Sequence, residues 1–163
     1  PERASTTSFG GTIAHGYLGL PDLTRETFGT DEDGIRWFRT DDVGHVDDDG
    51  TLHVDGRVDD LIITGGLKVA PRLVEEAILE HVPGIREVVV VGSPDHEWGA
   101  CVSALVVLSP DAVHDVTAAD LRAHLRGILP DHALPRRALT SPAIPTRGPG
   151  KPDRRAVEAM FTV

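Results

Sequence analysis

Three separated segments hold residues whose types and spacing could do chemistry. In RGPGKPDRR, residues 147–155, glycines on both sides of Pro149 leave the backbone bare and Lys151 stands at the tip, just before an expected helix start. A lysine on such a loop can enter a site as a point charge and stabilise an oxyanion or a phosphate. In WFRTDDVG, residues 37–44, an aromatic pair is followed by Thr40 and Asp42. This pattern puts a carboxylate at the end of an expected strand, where it could accept two hydroxyls of a ribose. In GRVDDLIITGG, residues 56–66, Arg57, Asp59 and Asp60 sit between two strands, where the composition changes character. Taken singly, each has a plainer reading: in the same order, a solvated basic tail, a loop carboxylate and a domain linker.

The elements that must position these residues follow from periodicity. Residues 51–56 alternate like a strand, and Asp49-Gly50 before them is a hairpin turn signal. Residues 60–64 form a short apolar strand that ends at the flexible pair Gly65-Gly66. Pro71 opens an amphipathic helix to about Val82, with Leu73, Ala77, Ile78, His81 and Val82 on one face. The run at 86–92 is β-branched and continuous, as in a strand buried on both faces. Residues 100–108 make the next strand. Thr117 with Asp120 caps a second helix carrying Leu121, Leu125, Ile128 and Leu129. Residues 130–150 hold five prolines and read as loop with one strand, and Pro152 opens a last short helix through Phe161. The order strand, helix, strand, strand, helix, strand, helix describes an α+β domain of about 105 residues. Residues 1–30 show little periodicity and read as surface trim on something absent.

Composition narrows the function classes. The chain has 163 residues, 40% of them apolar, and a mean hydropathy of −0.12. It shows neither a signal peptide nor a membrane-spanning run. Net charge is −10, which argues against non-specific nucleic-acid binding. Residues 1–60 carry 14 acidic and 5 basic side chains, whereas residues 61–163 carry 12 and 11. The single cysteine, Cys101, lies in an apolar run and reads as a small buried side chain, and a cytoplasmic location follows from cysteine usage. HVDDDG imitates the start of a calcium loop, but His45 and Gly56 would occupy the first and twelfth ligand positions, so a turn is the better reading. RGPGK lacks the earlier glycine and the following Ser or Thr of a phosphate loop. The histidines lack metal-ligand spacing.

In this order and at these separations, the three segments resemble the adenylate-forming superfamily of acyl- and aryl-CoA ligases, luciferases and peptide-synthetase adenylation domains. The family patterns are W-[FY]-x-T-G-D-x-[GA], G-R-x-D-D-x-I-x-x-G-G-x-x-[IV]-x-P-x-x-[IV]-E and P-x-x-x-x-G-K-x-x-R-[RA]. The chain offers WFRTDDVG, GRVDDLIITGGLKVAPRLVE and IPTRGPGKPDRRAV. GGTIAHGYLGLPDLTRETF is similar to the G-Y…P-x-x-T-x-x-x-F segment that precedes them, so the likeness spans roughly residues 10–161. One departure stands out: Asp41 replaces the glycine of T-G-D.

The resemblance implies that residues 1–57 are the C-terminal edge of a large adenylation domain and that 58–163 are a small mobile lid, a short sheet packed by helices. It implies Asp42 as the ligand of the ribose hydroxyls of ATP, Arg57 as a second nucleotide contact and Asp59 as the hinge. Lys151 would support attack of a carboxylate on the α-phosphate. In a second lid pose, Gly65, Gly66 and Lys68 would line the tunnel for the CoA thiol. ATP, Mg2+ and CoA are the implied cofactors and co-substrates, with ATP and Mg2+ held mainly by the absent N-terminal adenylation domain. That domain, a small carboxylate and CoA are the expected partners, without nucleic acid or membrane. The segments IITGGLKVAP, PDHEWG and RGPGKPDRRA look most like o-succinylbenzoate-CoA ligases of menaquinone biosynthesis in actinobacteria. Alternatives are a peptide-synthetase adenylation domain serving a carrier protein and a stand-alone α+β binding module. These 163 residues alone are expected to be inactive, because they lack the family's Ser/Thr/Gly-rich phosphate loop.

Overall fold

A computed structural model describes residues 4–112 and 115–162. It divides into two compact units, one ending at Asp59 and the other beginning at Asp60.

The first unit is built around one long strand. Its elements are β1 (Ala4–Phe9), α1 (Pro21–Thr27), β2 (Phe28–Thr30), β3 (Arg36–Val46) and β4 (Leu52–Arg57). β3 pairs antiparallel with all three other strands: β1 along one edge, β2 and β4 along the other. The turn between β3 and β4 is closed by Gly50 N–H to Asp47 O at 2.9 Å and by Thr51 N–H to the Asp49 carboxylate at 2.9 Å. The DDDG of HVDDDG is therefore a turn, while His45 and Val46 close the strand before it. The strand expected to end near Asp42 continues to Val46, with one register shift against β1 between Arg39 and Val43 and another against β4 at Val43/Gly44. A bulge breaks the period-2 pattern without ending the ladder, which is why sequence alternation stopped short. Among the described residues of this unit, Asp55 is the one buried polar side chain, 2% exposed, with His45 Nδ1 3.1 Å from its Oδ1.

The second unit holds a core of its own. It comprises β5 (Ile62–Thr64), β6 (Leu67–Val69), α2 (Pro71–His81), β7 (Ile85–Asp95), β8 (Gly99–Leu108), α3 (Ala118–Leu125), β9 (Arg137–Thr140), β10 (Thr146–Arg147), β11 (Lys151–Pro152) and α4 (Arg154–Ala159). The central sheet runs β7-β8-β9, the first pair antiparallel and the second parallel. Alternate residues feed two apolar clusters. Val90, Val102, Ala104 and Val106 pack with Val74 and Ile78 of α2 and with Leu121 and Leu125 of α3. Val89, Val91 and Leu105 pack with Val157 and Phe161 at the C-terminal end. A sheet covered on both faces requires the continuous β-branched run of residues 88–91. Cys101 is fully buried beside Ser93 and Ser103.

Local chemistry explains the helices, with three revisions. Pro71 occupies the first turn of α2, but the buried face is Pro71, Val74, Ala77 and Ile78, and His81 is exposed. Thr117 and Asp120 form a reciprocal capping box on α3. That helix stops at Leu125, leaving Ile128 exposed, since Pro130 would clash with the carbonyl four residues back. The last helix begins at Arg154, capped by the Asp153 carboxylate accepting from Ala156 N–H at 3.2 Å, while Pro152 belongs to β11. Among the described residues, no helix is long and apolar enough to cross a membrane.

Candidate functional site

Lys151 is presented by a hairpin. β10 and β11 pair Thr146 with Pro152 and Arg147 with Lys151, and Asp153 N–H extends the ladder to Pro145 O at 2.8 Å. Gly150 N–H donates to Gly148 O at 2.8 Å, closing a three-residue turn around Pro149. Both glycines adopt positive φ, +56° and +86°. Lys151 therefore lies one residue past the tip, on the returning strand, and its side chain is exposed. Residues registered directly across an antiparallel pair project to the same face, so the hairpin sets two cations, Arg147 and Lys151, side by side.

Gly65 and Gly66 form the two-residue turn between β5 and β6, with Thr64 opposite Leu67 and Ile63 opposite Lys68. Both have positive φ, +55° and +81°, the requirement of the tight turn whose twist suits a hairpin. The pair expected to be flexible is thus a defined turn. Gly65 N–H donates to Trp98 O at 3.0 Å, and a Cβ at Gly65 would lie 2.4 Å from the Trp98 ring. The Arg136 guanidinium lies 4.7 Å from the centroid of the same indole. Asp95 holds the turn before Trp98 by accepting from Glu97 N–H and Trp98 N–H at 3.0 and 3.1 Å. Those donors keep the Asp95 carboxyl below its ordinary pKa, the Trp98 N–H contributing most.

In the first unit, Asp42 and Arg57 are registered partners across β3 and β4. Asp42 is half-buried, and its N–H donates to Thr40 Oγ1 at 3.2 Å. The Arg57 guanidinium forms an ion pair with Asp41 Oδ2 at 2.8 Å, so the carboxylate that replaces the family glycine engages it. Asp59 is exposed within the 3-10 turn Val58–Asp60 and is the last residue of the first unit. Among the described residues, no group of three or more His, Cys, Asp or Glu is placed to hold a metal ion.

Residues 73–151 match the family model described as the AMP-binding enzyme C-terminal domain. The chain carries the C-terminal domain of the adenylate-forming enzymes. It is 40% identical to the medium/long-chain-fatty-acid–CoA ligase FadD8 of Mycobacterium tuberculosis (strain ATCC 25618 / H37Rv), over 93% of this chain and 26% of that protein. Among solved structures it is similar to the amide bond synthetase McbA from Marinactinospora thermotolerans, with a TM-score of 0.86 at 36% identity, covering 99% of this chain and 31% of the other. It is also similar to the o-succinylbenzoate CoA synthetase from Bacillus subtilis, with a TM-score of 0.81 at 27% identity, covering 96% of this chain and 30% of that one. The chain thus spans about a quarter of the length of the curated relatives it matches.

Sequence reading does not single out Trp98, and it places Arg136 and Arg154 only among the cations of the basic tail that could meet a phosphate, without their partners. The Asp95-to-Gly99 stretch carries a turn signal that could have flagged Trp98, a large aromatic on an exposed turn. Arg136 and Arg154 meet their partners only through the tertiary fold.

Proposed function

We propose that this chain serves as the C-terminal part of an ATP-dependent carboxylate–CoA ligase. A carboxylate oxygen attacks the α-phosphate of ATP and displaces pyrophosphate, giving an acyl-adenylate. The CoA thiol then attacks the acyl carbon, loses its proton and displaces AMP. The observation that carries this reading is the exposed Lys151 on a hairpin closed at Gly148–Gly150, in the domain that the family comprises.

In this reading Lys151 offers its ammonium to the developing charge at the α-phosphate. Asp42 accepts the ribose hydroxyls, and Arg57, in the register position across from it, contacts the nucleotide. Residues 1–57 belong to the adenylation body and 58–163 form the lid, which turns about Asp59. In the alternate pose, Gly65, Gly66 and Lys68 line the path of the thiol. A turn without side chains suits a narrow path, and two lid poses give two polar surroundings at one place. ATP and Mg2+ are held mainly by the N-terminal adenylation domain, the chain's principal partner. The large apolar side chains left exposed in the first unit, Leu18 and Phe9 among them, support that partnership. For the acyl group, o-succinylbenzoate is the substrate to test first, on the strength of IITGGLKVAP and RGPGKPDRRA, which would place the enzyme in menaquinone biosynthesis in the cytoplasm.

The test is to measure the half-reactions separately. In the complete ligase, Lys151→Ala is expected to slow pyrophosphate release by about a hundredfold or more, while thioester formation from supplied acyl-adenylate changes little. Equal loss in both would overturn the two-pose reading. The 163 residues alone are expected to release no pyrophosphate from ATP and any carboxylate.

A further inference from the structure

Three residues beyond Lys151, the side chain of Arg154 gathers three groups from three other parts of the second unit. Its Nη1 donates to Glu75 Oε1 at 2.9 Å and to Val90 O at 2.6 Å, and Nη2 lies 3.4 Å from Glu75 Oε2. Nε lies 3.7 Å from Asp60 Oδ2. Glu75 Oε1 also accepts from Val90 N–H at 2.8 Å. Val90 sits on β7, an edge strand of the sheet, so the Arg154–Glu75 pair takes up a backbone N–H and C=O that would otherwise stay unpaired at that edge.

The exposures separate this arrangement from an ordinary surface ion pair. The Glu75 side chain is 16% exposed and that of Arg154 30%. A two-pronged, partly desolvated arginine–carboxylate contact that also engages the Val90 C=O and N–H fixes direction as well as distance. Lysine could supply the charge here but not the fork.

Position along the chain gives the network its consequence. Arg154 is the first residue of α4, and Asp153 caps that helix while its own N–H closes the Lys151 hairpin on Pro145. Between Lys151 and Arg154 there is only Pro152, with a fixed φ, and the capping Asp153. The guanidinium is thus joined to Lys151 by a short, stiff stretch of chain. Its far partner Asp60 is the first residue of the second unit, directly after Asp59.

We infer that Arg154 is a positioning residue for Lys151, clamping the base of the lysine hairpin to α2 and β7 through Glu75 and Val90 and tying it to the junction through Asp60. The inference rests on the role proposed above for Lys151. Arg154 need not touch substrate. Its contribution is the direction in which the hairpin leaves the domain, and misplacement by about 1 Å can cost two orders of magnitude in rate.

The experiment compares Arg154→Lys, Glu75→Gln and Lys151→Ala in the complete ligase. Each half-reaction is measured over a range of substrate concentrations up to saturation, together with the hydrogen exchange of the Gly150 and Asp153 amides. Arg154→Lys is expected to lower the adenylation kcat by about tenfold or more, with KM and thioester formation from supplied acyl-adenylate within about twofold. The two hairpin amides should exchange faster, and those of the β7–β8 ladder should not. If Arg154→Lys gives little folded enzyme, Glu75→Gln carries the same expectation, since its amide oxygen keeps the acceptor for Val90 N–H. An unchanged adenylation rate, or parallel loss in both half-reactions with a lowered Tm, would overturn the assignment. If Lys151→Ala leaves adenylation intact, the catalytic reading of Lys151 has failed. The amides then decide the clamp: faster exchange supports it and unchanged exchange overturns it.

Discussion

The two units are held together by different forces. Every buried apolar side chain among the described residues lies at Ile62 or beyond. The first unit has a four-stranded sheet, two aromatic ring contacts linking Tyr17, Phe28 and Phe38, and a buried aspartate, but no buried apolar side chain among the described residues. Its helix α1 buries nothing, and Leu18 is fully exposed. Ladder hydrogen bonds contribute little net free energy without apolar burial, because water satisfies the same groups in the unfolded chain. The second unit packs apolar side chains on both faces of one sheet. The first unit therefore has the geometry of a folded sheet without the driving force for one, whereas the second can supply its own.

Cutting the chain at Asp59/Asp60 is the most severe way to challenge that contrast. Residues 60–163 alone are expected to unfold in one cooperative thermal transition, because their core is intact. Residues 1–59 alone are expected to show no cooperative transition, since a chain that short is marginal even with a core. A sharp melting transition in the isolated first piece would break the comparison outright.

A milder challenge removes one leucine from each unit. Leu105 is fully buried at the centre of β8, so Leu105→Ala is expected to cost about 2–5 kcal/mol by lost transfer and cavity formation. Leu18 is fully exposed, so Leu18→Ala is expected to change the stability of this chain by less than about 0.5 kcal/mol. Denaturant titration of the two variants measures both. Similar losses would mean that Leu18 is covered in solution.

The same contrast governs what the sequence disclosed. In the second unit the strand at 86–92, the strand at 100–108 and the capped helix at Thr117 were legible because each element's own pattern matches the core it faces. The hairpin strands β6, β10 and β11 were not, since two or three residues of ladder leave no periodicity to read. In the first unit α1 and β2 gave almost no signal, as expected where no side chain is fully buried, and β1 gave none either. The site divides similarly. Lys151, Gly65 and Gly66 could be found because glycine and proline mark the turns that present them. The Arg154 contacts with Glu75, 79 residues away, and the ion pair of Arg57 with Asp41 depend on tertiary approach and register, which residue spacing does not encode.

The smallest expected effect sharpens the comparison most finely, because both units contain the same device. Asp49 in the first unit and Asp95 in the second each hold a turn by accepting backbone N–H groups, from Thr51 in one case and from Trp98 and Glu97 in the other. These donors favour the charged form and lower both carboxyls from their ordinary pKa; for Asp49 the Thr51 N–H contributes most, followed by its hydroxyl. A folded-state pKa lowered in this way stabilises fully above the unfolded value of about 3.9, and the contribution is lost as pH falls through the folded value. Carboxyl NMR titration of the native chain is expected to place both midpoints below about 3.9. The units should part company in moderate urea. Asp49, on a turn with no core behind it, should return to the ordinary value before the global transition, while Asp95 should keep its lowered value until β7 and β8 separate. Simultaneous return of the two would mean that the first unit unfolds only with the second, and would remove the energetic distinction between them.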